Sequence, residues 1–509
     1  MALEPVDRHP LTADASFDGG DLDCGNGLLL LIRQHLDPLA PGQLLEFRST
    51  EISVEEDFPA WCRLTGNELV SFTRAGKQRS FLVCKGPFRA ARAGATRPAP
   101  PASVLARAVV AVHVPAALPA PAPSTPIPPL AVMGIGSWPR PRWMLEAMHE
   151  HLEGRLADAD FEATADDAVR LAVEAQLRAG VDVVTDGEQR RDNYASFVGG
   201  RLDNCQLLPL TDLLPLVDDP EKFRQELQAL DVPASEVRHP AVFGPLGRSR
   251  PLAGHEHAFA RTLTERPVKV ALPGPYLTTR LMWVECISDR VYRSREHLAE
   301  DVVRVLREEL HHLLSAGVAL VQLDEPVLSE VVFTGAKQAR SFMCGALSEK
   351  GDAGTELAFA QRLLDEVVRG LPRERLALHV CRGNWTRDER AALAGDYRPL
   401  LPLLAEVRVG TLMLELCTPR AGELDVLADL PRDVRVGVGV VDQKRETVES
   451  PEEIAARARR AIDLFGEPRV LLTPDCGFAT FADTPIAPAG VAEAKLRAIV
   501  QAAALVRRG

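Results

Sequence analysis

The chain has 509 residues, 46% of them hydrophobic and 26% charged, with a formal net charge of −12. This composition supports large buried cores and excludes a wholly disordered chain, and an acidic balance without a dense basic run argues against a nucleic-acid partner. No apolar run approaches about 18 residues, so no membrane span is expected. Nine cysteines in so long a chain do not read as a disulfide framework. Glu4, Asp7 and Arg8 spoil a secretory apolar segment, so a cytoplasmic location is expected.

In chain order, residues 1–90 predict a small α+β two-layer domain of two helices and about four strands. The apolar run from Leu28 to Leu36 stops before Pro38 and Pro41-Gly42 and reads as a helix. Gln43–Arg48 alternates as a strand does, Glu56–Arg63 reads as a second helix with Pro59 near its first turn, and Leu69–Thr73 and Ser80–Lys85 read as a hairpin around Ala75-Gly-Lys. Residues 91–130 hold ten prolines between Pro98 and Pro129 and predict an extended, semi-rigid linker. An irregular strap lying on the large domain is the alternative, because Val104–Val114 is apolar.

From 131 to 509 the rhythm changes. Short apolar runs end near Ser137, Asp186, Leu272, Leu323, His379, Glu415, Val441 and Thr473, and helix-like stretches separate them. Eight strands alternating with helices predict an α/β fold, a (β/α)8 TIM barrel, with insertions at Phe197–Arg266 and Leu328–Thr355. In such a fold the C-terminal ends of the strands face the active site. Here they carry Gly134-Ile-Gly-Ser137, Asp186-Gly-Glu188, Leu323-Asp-Glu-Pro326, His379-Val-Cys381, Glu415, Val441-Asp442 and Pro474-Asp-Cys-Gly477. Two thiolates, an imidazole and a carboxylate (His379, Cys381, Glu415 and Cys476) suit a tetrahedral Zn2+. A strand's period of two puts His379 and Cys381 on one face. The residue types equally permit two buried small hydrophobes and a core histidine.

Taken together and in this order, these motifs resemble the C-terminal catalytic barrel of cobalamin-independent methionine synthase in its single-barrel core form. The resemblance implies that His379, Cys381, Glu415 and Cys476 bind catalytic zinc, and that Ile135, Ser137, Glu188 and Asp324 hold the amino-acid part of a homocysteine-like thiol. It implies methyl transfer to that thiol, most simply homocysteine to methionine, through a zinc-bound thiolate, the metal activating the thiol rather than water. Carboxylates such as Glu188 and Asp324 suit an α-ammonium group, and the Ser137 hydroxyl and neighbouring amides suit an α-carboxylate.

The chain departs from the family at two points. The first barrel, which helps hold a polyglutamyl methyl-folate in the full-length form, has no counterpart here. Where the full-length family has an Asp-x-His able to protonate the leaving amine, this chain has Asp442-Gln-Lys444. Asp442 and Lys444 are therefore the candidate catalytic pair, and a methyl-corrinoid donor, free or protein-bound, stands beside methyl-folate because its leaving group needs no proton. Another thiol acceptor, or a methylated sulfur donor coupled to sulfur trafficking, are further alternatives.

Leu22-Asp-Cys-Gly-Asn-Gly27 precedes the Leu28 helix, and a cysteine at a helix start has a lowered pKa. Residues from Leu22 to Lys85 resemble the TusA/SirA-like sulfur carriers, with Asp57-Phe-Pro-Ala-Trp-Cys62 and Gly66-Asn-Glu-Leu69 among the matching pieces. The resemblance implies that Cys24 carries sulfur, although the family's Cys-Pro-x-Pro reads Cys-Gly-Asn-Gly here. On that side lies the alternative of a non-catalytic sulfur-relay or scaffold protein.

Overall fold

In a computed structural model the chain is described for residues 6, 8–20, 22, 28–88, 108–209, 238–284, 287–333, 352–384, 387, 392–422 and 424–508. Backbone contacts divide it into two units, one of residues 1–108 with 211–214, the other of 109–210 with 215–509.

The first unit is a sheet of four strands, β1 (Ala15–Asp18), β2 (Leu44–Ser49), β3 (Glu68–Ala75) and β4 (Gln78–Cys84), in the order β1-β2-β4-β3. Helices α1 (Leu28–Leu36) and α2 (Val54–Leu64) accompany it, and Pro59 lies inside α2. Its core joins Leu28, Ile32 and Leu36 of α1 to Phe58 of α2 and to Phe47 and Phe81 of the sheet. Phe47 and Phe81 stack with ring centroids 5.0 Å apart. Cys24 lies outside the described residues.

The second unit is α/β with a parallel sheet. Strands β7 (Lys269–Pro273), β8 (Leu320–Asp324), β9 (Leu376–Val380), β10 (Thr411–Leu414), β11 (Arg435–Val441) and β12 (Val470–Pro474) pair in sequence order. Helices Arg295–Ser315, Ala353–Val368, Leu401–Glu406 and Pro451–Phe465 fall between successive members, and Ala489–Arg508 follows the last. The helix Pro451–Phe465 starts where the sequence dictates: Ser450 and Glu453 form a reciprocal capping box, with proline in the first turn.

The segments expected as the first two strands are shorter than their apolar runs suggest. They contribute isolated parallel bridges, Val132 to Leu472, Met133 to Val183 and Val184 to Val268. Side chains take over part of the ladder there. Asp182 Oδ2 accepts the Val132 N–H at 2.8 Å, and Gln176 Oε1 accepts the Thr185 N–H at 2.9 Å. Inside the sheet, Ala131, Met133, Ile135, Val183, Leu320, Ala377, Met413 and Leu471 form one cluster. Fully burying a Leu, Val or Met side chain contributes about 1.5–3 kcal/mol. The expected insertion after Phe197 holds an antiparallel pair, β5 (Asp203–Pro209) and β6 (Arg238–Gly247), and the helix Gly254–Leu263.

The proline-rich segment expected as a linker lies, in its described residues from Val109 to Leu130, along the second unit. Asn204 clasps its start, accepting the Val110 N–H at 2.8 Å and donating to the Val110 carbonyl at 3.0 Å. Further on, Ala122 donates to Leu314 O, Arg375 donates to the Ala122 carbonyl, Arg435 donates to the Ile127 and Pro128 carbonyls, and Leu130 N donates to Val470 O. Arg375, Arg435 and Val470 stand at the starts of strands, so the strap crosses the N-terminal end of the sheet. Among the described residues no helix is long and apolar enough to cross a membrane.

Candidate metal and thiol site

At the opposite, C-terminal end of the sheet, pairing of β8 with β9 sets Asp324 directly across from His379. Cys381 follows β9 and keeps to the face of His379, while Cys476 follows β12 by two residues. His379, Cys381 and Cys476 are all buried, and one donor atom from each lies within 4.8 Å of the others. His379 Nδ1 is 2.9 Å from Asp324 Oδ1, whereas its Nε2 is buried and without a hydrogen-bond partner among the described residues. Burial opposes a charged imidazole, yet the bond to Asp324 and the nearby Cys381 raise the His379 pKa.

A hydrogen bond joins the two thiols. A hydrogen bond from Cys476 pulls Cys381 down to about 7, against burial, and the same bond together with burial pushes Cys476 well up. Two sulfurs and one imidazole nitrogen, one sulfur already leaning to thiolate, form a donor set suited to a borderline-soft cation such as Zn2+. The orphaned Nε2 is the observation that favours it, because a buried ring nitrogen without a partner is costly.

Glu415 is not drawn into this group. It is 1% exposed, and both of its oxygens are engaged elsewhere. Oε2 accepts the Arg382 backbone N–H at 2.7 Å, while Oε1 accepts from Thr418 at 3.2 Å and pairs with Arg420 at 2.6 Å.

A cavity opens beside the three donors. Ile135, Ser137, Glu188, Asp324, His379, Cys381 and Cys476 all line it. Glu188 is held in the left-handed region at φ 55°, an uncommon state for a residue other than glycine. Its Oε2 has no partner among the described residues, and burial pushes its pKa up to about 7. Gly136 permits this placement, because a Cβ there would run into the Glu188 carboxylate. Gly477 does the same for the Ser137 hydroxyl.

Asp442 and Lys444 do not line the cavity. Asp442 Oδ1 accepts the Lys444 N–H at 2.9 Å, and Arg445 lies 3.2 Å from Oδ2. The Lys444 ammonium is buried and has no hydrogen-bond partner among the described residues. Burial and Arg420 lower its pKa, while Glu415 and the two cysteines act in the opposite sense.

Sequence reasoning missed Tyr194, Asn384, Thr480 and Phe481 in the cavity wall. Asn384 donates to Gly477 O at 2.6 Å and to Thr480 Oγ1 at 2.7 Å, tying the loops after β9 and β12 together. Carrying the strand-end rule three to five residues further along each loop would have found most of them.

A model of the cobalamin-independent synthase catalytic domain matches residues 130–216 and 221–505. The chain belongs to that family. The methionine synthase of Saccharolobus solfataricus is 26% identical over 352 residues, covering 69% of this chain and 89% of the relative. That of Sulfurisphaera tokodaii is 27% identical over 382 residues, 75% and 94% of the two chains. A B12-independent methionine synthase structure from Shewanella sp. W3-18-1, in complex with selenomethionine, superposes with a TM-score of 0.56 at 22% identity over 75% of this chain and 98% of that one. A further structure, the putative vitamin-B12-independent methionine synthase of Listeria monocytogenes, gives 0.53 at 17% identity over 75% and 99%. The cobalamin-independent synthase family makes the chain an enzyme, a methyltransferase. Its description gives no support to a methyl-corrinoid donor.

Proposed function

We propose that the second unit methylates the thiol of homocysteine to give methionine, at a zinc ion held by His379, Cys381 and Cys476, with Glu415 as the fourth ligand once it is released from Arg420 and Thr418. The observation that carries this reading is the buried trio of donors, with an unpartnered imidazole nitrogen, beside a cavity whose wall presents Glu188 and Asp324. The three isolated bridges support a sheet closed into an eight-stranded barrel, in which the ends of β9, β10 and β12 converge at one mouth.

Zinc in such a site lets a thiol surrender its proton at neutral pH. The chain's own residues do the rest. Glu188 and Asp324 receive the ammonium group, and Ser137 with the amides after Ile135 receives the carboxylate. The thiol is thereby aimed at the sulfurs of Cys381 and Cys476. Lys444, with Asp442 fixing its loop, serves as proton source for a leaving amine once its side chain turns into the cavity, and its lowered pKa makes it a better donor than a free lysine. Methyl-folate is the donor that fits this chemistry. Cys205, Cys381, Cys417 and Cys476 of this unit are free thiols, in keeping with a reducing, cytoplasmic setting.

The test is metal analysis joined to a donor panel. Purified protein should hold one zinc and convert homocysteine with methyl-folate, and should do so less well with other thiols. Turnover with methylcobalamin alone would overturn the donor assignment, and full activity after removal of all metal would overturn the site.

For the first unit we propose sulfur carriage on Cys24, supported by the two helices and four strands and by α1 beginning four residues after it. Mass spectrometry of the intact chain should find a persulfide on Cys24 after incubation with a sulfur donor. An unmodified Cys24 would leave the unit without that role.

A further inference from the structure

Below the donor trio a run of side chains leads back into the sheet. Lys269 of β7 is 1% exposed, and its ammonium donates to Ile135 O at 2.7 Å and to Gln322 Oε1 at 2.6 Å. With its oxygen so engaged, the Gln322 amide turns its nitrogen the other way, and Nε2 donates to Asp324 Oδ1 at 2.7 Å. The same Oδ1 lies 2.9 Å from His379 Nδ1. Strand register dictates the sequence of contacts: Gln322 and Asp324 share a face of β8, and Asp324 is paired with His379 on β9.

Each link fixes the next. A lysine ammonium has donors and no acceptor, so it can bind only the oxygen end of the amide. A carboxylate has acceptors and no donor, so His379 must place its proton on Nδ1 toward it. The lone pair is left on Nε2, the nitrogen without a partner.

We infer that Lys269 and Gln322 are positioning residues for the metal site: through Asp324 they lock His379 into the tautomer and orientation that present Nε2 to the ion. The inference rests on the zinc reading above and adds two residues that touch neither metal nor substrate.

The test uses the full chain, stripped of metal and titrated with Zn2+ against a chromophoric chelator. Lys269→Met removes both donors at near-constant volume, and Gln322→Leu removes the amide while sparing the bond from Lys269 to Ile135. Each should weaken zinc binding by about 10- to 100-fold, the range for partners that orient a ligand. In an Asp324→Asn background, Lys269→Met should add no more than about 2-fold, because its path to His379 is already cut. A general loss of packing would instead carry its full penalty into that background. Zinc affinity within about 2-fold of the parent in both single variants would overturn the relay, as would an undiminished Lys269→Met penalty beside Asp324→Asn. Should Gln322→Leu alone fold, its affinity decides. If Asp324→Asn and Cys381→Ser also leave zinc unmoved, the metal-site reading itself fails.

Discussion

The two ends of the parallel sheet treat buried polarity in opposite ways. At the N-terminal end, Arg375 and Arg435 direct guanidinium nitrogens onto backbone carbonyls of the strap and of neighbouring segments, with Arg435 Nε alone of these two side chains' nitrogens left without a partner among the described residues. At the C-terminal end, His379 Nε2, Glu188 Oε2 and the Lys444 ammonium lie buried without a hydrogen-bond partner among the described residues. An unsatisfied buried polar group costs about 1–3 kcal/mol. One end is therefore organised for stability, while the other holds groups that a bound ion and substrate would satisfy.

Four expectations can break or sharpen this contrast. The largest effect belongs to Cys381→Ser or Cys476→Ser, either of which should lower zinc affinity by more than about 100-fold, beyond what an outer partner commands, and abolish methyl transfer. Zinc retained in full by either variant would remove it from the ligand set. Next comes Glu188, whose pKa rises from 4.5 to about 7 through burial. Its folded form holds a proton more tightly than the unfolded chain does, so stability falls as pH rises from 4.5 to about 7 and the full penalty stands above that. Glu188→Gln should thus raise stability at pH 8 by up to about 3 kcal/mol while weakening homocysteine binding. The parent's KM should climb as pH drops below 7, where Glu188 gains its proton, and the variant's should not. A KM insensitive to both changes would separate Glu188 from the substrate.

The other end should respond in the reverse sense. Arg375→Met removes bonds to Val318, Leu314 and Ala122 and should destabilise the fold by about 2 kcal/mol, with kcat unchanged at a permissive temperature. Arg435→Met, losing two strap carbonyls, should cost about 1 kcal/mol. Unfolding midpoints in urea read both, and a fall in kcat without a shift in midpoint would contradict the division.

Much of this was readable beforehand. The strand-end motifs stood out because alternating apolar runs fix which residues reach the C-terminal rim, and β7 to β12 fall on the expected runs. The strap was harder to read. Proline density reports the absence of regular ladders, and not the absence of packing. A proline lacks an N–H but keeps its carbonyl, and Arg435 uses such carbonyls at Pro128. Lys269 and Gln322 were hidden for a related reason. A charged and an amide side chain within short apolar runs look like breaks in the pattern, and only the register of neighbouring strands reveals them as one connected set. Neither the pairing of Glu415 with Arg420 nor the hydrogen bond between Cys381 and Cys476 leaves any mark in spacing, since both depend on loops that sequence periodicity does not reach.

Gly136 and Gly477 carry a consequence for inheritance. Glycine to alanine ranks among the mildest exchanges by size and polarity. At these two positions the added methyl would occupy the place of the Glu188 carboxylate or the Ser137 hydroxyl. The floor of the site is thus vulnerable to changes that look silent on paper, and a lineage in which either glycine gives way to a larger residue should have surrendered the chemistry while keeping the fold.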